Sequence, residues 1–253
     1  MAPQNPTAIL IIHGGYFSPT AWDAFTDQLT KAGLVVRCPR LPTCGDERPP
    51  TATLKEDVIA VRSAAKDLID TGHNVIVLAH SYGGIVASEA LTSDLYANEV
   101  TKGIVYFILL SAWLVQPGDT VLDVIGKYGF QCKVDLGNNG DGTVFAKNAA
   151  EAFFNDIDSA TAEKLAAGNV THNWLAASAK VTGAPWKNLP TTYVHCTRDL
   201  AIMLPLQKSM VQDAVNARGA SEFVTKTIDS GHCPFLSKPD ELVSIIQVLA
   251  GMD

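Results

Sequence analysis

Val77-Leu78-Ala79-His80-Ser81-Tyr82-Gly83-Gly84 is an apolar strand ending in a serine bracketed by small residues. A strand that turns directly into a helix exposes the residue at the bend, and the bend needs strained backbone with little side chain on either flank. Ala79 and Gly83 meet that need, with alanine where the G-x-S-x-G form of this elbow has glycine. Taken alone, the run also fits a strand followed by a serine-capped helix with no chemistry. Its surroundings separate the two.

Outward from Ser81, apolar runs and helical patterns alternate. Residues 8–13 (AILIIH) form a short apolar run closed by Gly14-Gly15, which predicts a buried strand. Ser18-Pro19 opens a helix that carries Trp22, Phe25 and Leu29 on one face and stops at Gly33. Residues 34–38 read as the next strand, and the Pro- and charge-rich residues 39–50 as loop. Thr53-x-x-Glu56 is a capping box ahead of Val58, Val61, Ala65 and Leu68 at helical spacing. Strands are expected at 74–80, 102–111, 191–196 and 222–228, and helices at 83–92, 204–217 and 239–250. Six strands joined by helical connections predict an α/β fold: a six-stranded, mostly parallel sheet with helices on both faces.

The alternation breaks after the fourth strand. Residues 112–187 show no strand-like run and read as short helices around 120–128, 143–154, 160–167 and 171–179, with a Gly/Asn/Asp loop at 137–142. Trp113, Phe130, Phe145, Phe153, Phe154, Trp174 and Trp186 make the stretch rich in aromatics. Because it leaves from the carboxyl end of a strand, where such sheets bind ligands, it is expected to be a helical cap. The expected division is 1–111 with 188–253 as core and 112–187 as cap.

Bulk properties narrow the function. With 253 residues and 47% hydrophobic content, the chain can bury one sizeable core. A net charge of −7 supplies no basic footprint, so neither nucleic acid nor an anionic membrane is an expected partner. The longest apolar run, residues 103–115, is shorter than the roughly 20 residues of a spanning helix. The first seven residues lack the features of a secretion signal. Five scattered cysteines without a C-x-x-C are simplest as reduced thiols, which gives a cytoplasmic expectation. No histidine spacing suggests a metal, and no cofactor is expected.

A serine nucleophile needs a base, an acid that orients the base, and donors for an oxyanion. Asp199 follows the fifth strand and His232 the sixth, so the chain order is Ser81, Asp199, His232, the order expected of an elbow serine on such a sheet. The oxyanion donors are expected to be the backbone N–H of Tyr82, just past the nucleophile, and that of Gly15 in His13-Gly14-Gly15-Tyr16. Asp229 and Asp119 are the rival acids: the first lies too close in sequence to His232, the second inside the cap. Expected substrate contacts are Gly14, Tyr16, His80, Trp113, Phe154 and Trp174. His195 reads as a core histidine and Cys233 as small apolar packing.

On His13-Gly14-Gly15 with Trp22, His80-Ser81-Tyr82-Gly83-Gly84, Thr197-Arg198-Asp199 and Ser230-Gly231-His232-Cys233-Pro234-Phe235, the whole chain resembles the α/β-hydrolase superfamily. Within it, the chain is similar to the small cofactor-free serine esterases related to plant methylesterases and hydroxynitrile lyases. Phe153-Phe154-Asn155-Asp156 also looks like a recurrent lid motif of microbial members. The resemblance implies a serine esterase acting on a small, largely apolar carboxylic ester or lactone. Lyase relatives carry lysine where Cys233 stands, haloperoxidase-like members methionine where Tyr82 stands, and dehalogenases an aspartate nucleophile; each departure argues against that chemistry. Hydrolytic carbon–carbon cleavage of a β-diketone or polyketide-like substrate, and a small-molecule receptor on the same fold, are the alternatives. The expected partner is a small-molecule substrate, with a homodimer as an open assembly.

Overall fold

The computed structural model describes residues 7–129, 132–218 and 223–252, so Phe130, Glu222 and residues 1–6 lie outside the described residues. From β1 (Thr7–Ile12) a 3-10 turn at Pro19–Trp22 leads into α1 (Asp23–Lys31) and the short β2 (Val35–Arg37). Next comes α2 (Leu54–Asp70), whose capping box forms as expected: Thr53 N–H donates to Glu56 Oε2 at 2.8 Å. Then follow β3 (Asn74–His80), α3 (Gly83–Ala90) and β4 (Ile104–Leu110).

The inserted stretch contains α4 (Val121–Tyr128), β5 (Leu136–Asn138), β6 (Thr143–Ala146), α5 (Ala149–Phe153), α6 (Ser159–Ala166), β7 (His172–Asn173) and α7 (Trp174–Ala177). The chain closes with β8 (Thr191–Cys196), α8 (Leu204–Arg218), β9 (Phe223–Ile228), α9 (Pro234–Ser237) and α10 (Pro239–Leu249).

Six strands pair in the order β2-β1-β3-β4-β8-β9, and every neighbouring pair is parallel. The alternation of side chains along a strand divides the core in two. Ala8, Leu10 and Ile12 join Val61 and Ala65 of α2 and Leu206 and Met210 of α8 on one face. Ile9 and Ile11 join Phe25 and Leu29 of α1 and Leu242 and Ile246 of α10 on the other. Burial on both faces is why these strands read as continuous apolar runs, each full burial of a large aliphatic side chain contributing roughly 1.5–3 kcal/mol.

Strand order and register place the site. The chain runs from β1 outward to β2, then back past β1 to β3, so the direction of winding reverses between β1 and β3, where a crevice opens. The carboxyl ends are level: Ile12 pairs with Ala79, His80 with Leu110, Leu110 with Val194, and Cys196 with Ile228. The residues that follow β1, β3, β4, β8 and β9 therefore leave the sheet along one edge.

The insertion departs from the all-helical expectation. Thr143–Ala146 is a strand, paired antiparallel with Leu136–Asn138 and with His172–Asn173. β-Branched Thr143 and Val144 with aromatic Phe145 favour extended backbone, and the preceding Gly140 and Gly142 take φ of 78° and 95° to make the turn. Asp141 Oδ1 accepts from Thr143 N–H at 3.0 Å, which fixes where the strand begins. The helix expected from residue 143 consequently starts at Ala149, and the one expected from 171 shrinks to Trp174–Ala177 behind an Asn173 cap. Among the described residues no helix is long and apolar enough to cross a membrane.

Candidate active site

Three non-glycine residues among those described have positive φ: Tyr16 (68°), Ser81 (53°) and Ser111 (40°). They follow β1, β3 and β4 at the level strand ends. Such backbone costs of order 1–3 kcal/mol per residue and persists where surrounding structure imposes it. At Ser81 the imposition is visible. Its N–H donates to Leu110 O (3.4 Å), and its carbonyl accepts from Gly84 N–H (3.0 Å) and Trp113 N–H (3.1 Å). A Cβ on Gly83 would stand 2.2 Å from the Ile12 carbonyl oxygen, and one on Gly84 2.2 Å from that of Trp113. Only glycine lets α3 lie this close to β1, so the elbow is both tight and fixed.

Gly14 and Gly15 bring the loop after β1 against this elbow. A Cβ on Gly14 would meet Ser81 Cβ at 3.0 Å and His80 Nδ1 at 2.9 Å. Among the described residues neither the Gly15 nor the Tyr82 backbone N–H donates to a protein acceptor.

Asp199 and His232 meet as the chain order anticipated. His232 Nδ1 lies 2.9 Å from Asp199 Oδ2, both side chains fully buried. Asp199 Oδ1 accepts from the Ala201 (2.7 Å) and Ile202 (3.0 Å) amides, and Oδ2 also from Ser111 Oγ and from Gln207 Nε2 at 3.3 Å. A carboxylate that accepts on both oxygens leaves His232 Nδ1 to carry the proton, so Nε2 is a bare acceptor. That Nε2 is buried with no hydrogen-bond partner. Asp229, the nearer rival, instead takes Thr197 Oγ1 (2.7 Å) and Arg198 Nε (3.1 Å) at the surface.

A pocket of about 140 Å³ opens between the strand ends and the insertion. Tyr16, Ser81, Tyr82, Trp113 and Trp174 line it. Three expected contacts stand elsewhere. Gly14 packs under the elbow and accepts from His13 Nδ1 at 2.9 Å. His80 is fully buried and donates from Nε2 to the His232 carbonyl at 2.9 Å, tying the nucleophile strand to the His232 loop. Phe154 sits in the core edge-on to Phe17, and its neighbour Phe153 takes the pocket wall, stacked on Tyr16.

The structure adds residues the sequence reading did not reach. Ser111 and Gln207 complete the shell around Asp199. Asp57, buried on α2, accepts from Thr43 N–H (2.9 Å), Thr43 Oγ1 (2.6 Å) and Tyr82 Oη (2.8 Å), and so pins the side chain beside the elbow. His172 lines the pocket beside Gly15 and meets the Tyr82 ring edge-on at 4.4 Å. No spacing in the sequence marks these four, because each acts through a partner that only the folded chain brings to it.

Burial holds His13 at a pKa of about 4, and His172 at about 3, and pushes His80 well below the ordinary value of 6.5. As pH falls below about 6.5 the unfolded chain takes up these protons and the folded one does not. Stability is therefore whole above that pH and falls by about 1.4 kcal/mol per pH unit for each histidine, flattening below its folded pKa. Calorimetry should show Tm level from pH 7.5 to about pH 6.5 and dropping steadily from there to pH 4.5; a flat Tm would contradict the neutral buried imidazoles.

Residues 9–245 match the family model described as Alpha/beta hydrolase family, and the chain belongs to the α/β-hydrolase family. It is 27% identical over 245 residues to a protein named Probable hydrolase R7 from Phoma sp., covering 96% of this chain and 98% of that one. It is 24% identical to Methylesterase 7 of Arabidopsis thaliana, covering 99% and 98%. Its fold matches the crystal structure of a pyrethroid hydrolase from Sphingobium faniae JZ-2 with a TM-score of 0.71, 18% identity, and coverage of 97% and 98%.

Proposed function

We propose that the chain is a serine hydrolase that cleaves a small, largely apolar carboxylic ester or lactone through an acyl-enzyme. The observation that carries this reading is the buried Asp199–His232 pair, whose Nε2 is left without a partner on the strand edge that presents Ser81 to the pocket. Relatives named as a methylesterase and a pyrethroid hydrolase support it.

In this mechanism His232 Nε2 takes the Ser81 proton as Oγ attacks the substrate carbonyl carbon. Charge moves onto the carbonyl oxygen, which the Gly15 and Tyr82 amides receive. Asp199 holds Nδ1–H and stabilises the imidazolium. The tetrahedral intermediate collapses, His232 returns the proton to the leaving alkoxide, and an acyl ester remains on Ser81. Water, deprotonated by the same Nε2, then releases the acid. Substrate and water are the only reactants. Trp113, Phe153 and Trp174 give the substrate site its apolar wall, and the modest cavity suits a small molecule better than a drug-sized one.

A fluorophosphonate reagent tests the reading directly. One equivalent should attach to Ser81, and hydrolysis of p-nitrophenyl acetate should vanish in proportion to labelling. Label on another residue, or tight binding of esters without turnover, would sink the proposal in favour of a receptor.

A further inference from the structure

The insertion touches the site in a second way, through its own polar residues. Just past α5, Asn155 Nδ2 donates to the Arg198 carbonyl at 2.9 Å. The next residue, Asp156, accepts from the Gly231 N–H through Oδ2 at 2.8 Å. Arg198 immediately precedes Asp199 and Gly231 immediately precedes His232. Two consecutive side chains of the insertion thus grip the backbone next to both members of the buried pair.

The grip is close on both sides and dry at Asp156, while the Asn155 bond lies at the surface. The Asp156 side chain is only 1% exposed, and its Oδ1 is buried with no partner. Arg198 Nη2 stands 4.0 Å from Oδ2, too far for a hydrogen bond. A Cβ on Gly231 would stand 2.3 Å from Asn155 Oδ1 and 2.7 Å from Asp156 Oδ1, so a larger residue at 231 would push both side chains out of their places. The two loops are also tied to each other: Arg198 N–H donates to Ser230 O at 2.9 Å, and Arg198 Nη2 to Asp229 O at 2.8 Å. Phe153, two residues before Asn155, forms the pocket wall and lies 5.6 Å from the His232 ring. A buried carboxylate with one unpaired oxygen is a poor way to gain stability alone.

We infer that Asn155 and Asp156 are positioning residues for the Asp199–His232 pair, locking the insertion and the two loops into one unit. The inference rests on the hydrolase reading. Through them, the chain segment that contacts substrate at Phe153 also sets the placement of the base. Displacement of a reacting group by about 1 Å can cost about 100-fold in rate, so the lock acts on kcat more than on KM.

Asp156→Ala, Asp156→Asn and Asn155→Ala test this, with kcat and KM for p-nitrophenyl acetate measured well below Tm and expressed per serine titrated by fluorophosphonate. Asp156→Ala should lower kcat about 10- to 100-fold with KM little changed. Asp156→Asn, which keeps an oxygen to accept from Gly231, should restore most of it. An Asp156→Ala protein with wild-type kcat per titrated serine overturns the inference alone, as does an Asp156→Asn protein no better than Asp156→Ala. If Asp156→Ala does not fold, Asn155→Ala and Gly231→Ala decide: a fall in kcat supports the lock, and an unchanged kcat in both overturns it. Absence of Ser81-dependent hydrolysis in the intact protein overturns the hydrolase reading first, and the inference with it.

Discussion

Ser81→Ala should abolish turnover, lowering kcat for p-nitrophenyl acetate by about 10⁶-fold, while the protein stays folded. Both halves follow from the site. Oγ makes no hydrogen bond to a described residue, and the bonds that hold the elbow run through the Ser81 amide and carbonyl, which alanine keeps. Alanine accepts a φ of 53° about as badly as serine does, so the strain is unchanged. His232→Ala should fall equally far, and the double variant no further, because base and nucleophile act as one unit. Steady-state rates with circular dichroism on all three variants check this. Residual activity in Ser81→Ala within about 100-fold of the intact protein would exclude Ser81 as nucleophile.

Asp199→Asn is the subtler case, and a loss of about 10⁴-fold in kcat is expected with little change in KM. An amide has one accepting oxygen and one donating NH₂ where the carboxylate accepts on both sides. The Ala201 and Ile202 amides are fixed by the chain and claim the oxygen. The NH₂ then faces His232 Nδ1, which must become an acceptor and move its proton to Nε2. A protonated Nε2 cannot take the proton of Ser81. Hydroxyl and amide donors from Ser111 and Gln207 also lose their acceptor, so a lower Tm should accompany the effect. If Asp199→Asn retained activity within about tenfold, Asp199 would not be the orienting acid.

The inner strands β1, β3 and β4 were legible because burial on both faces leaves nearly unbroken apolar runs between level ends. Asn74–His80 and Thr191–Cys196 match their expected bounds residue for residue. The strand-end positions of Ser81, Asp199 and His232 were legible for the same reason, since a strand's end fixes where the next residue emerges. The insertion was not. Its strands have two to four residues, too few to display a period, and Thr143-Val144-Phe145 sits where helical spacing also fits. Which of Phe153 and Phe154 faces the pocket depends on the helix they end, not on their chemistry. His80 looked like a substrate contact because it is polar beside the nucleophile, yet its partner is a carbonyl across the site. Gln207 was invisible for a related reason: a buried amide on a helix shows its purpose only through the groups it joins.

The seam at Gly83 and Gly84 also determines how this protein could be altered. Randomising those two codons should return glycine alone among active clones, because every other side chain starts with a Cβ inside a carbonyl oxygen. The rim gives the opposite expectation. Leu122 is half exposed while lining the pocket, with solvent on one side to absorb a larger or smaller residue. A search for new substrates therefore has its freedom at the mouth and almost none at the hinge of the elbow.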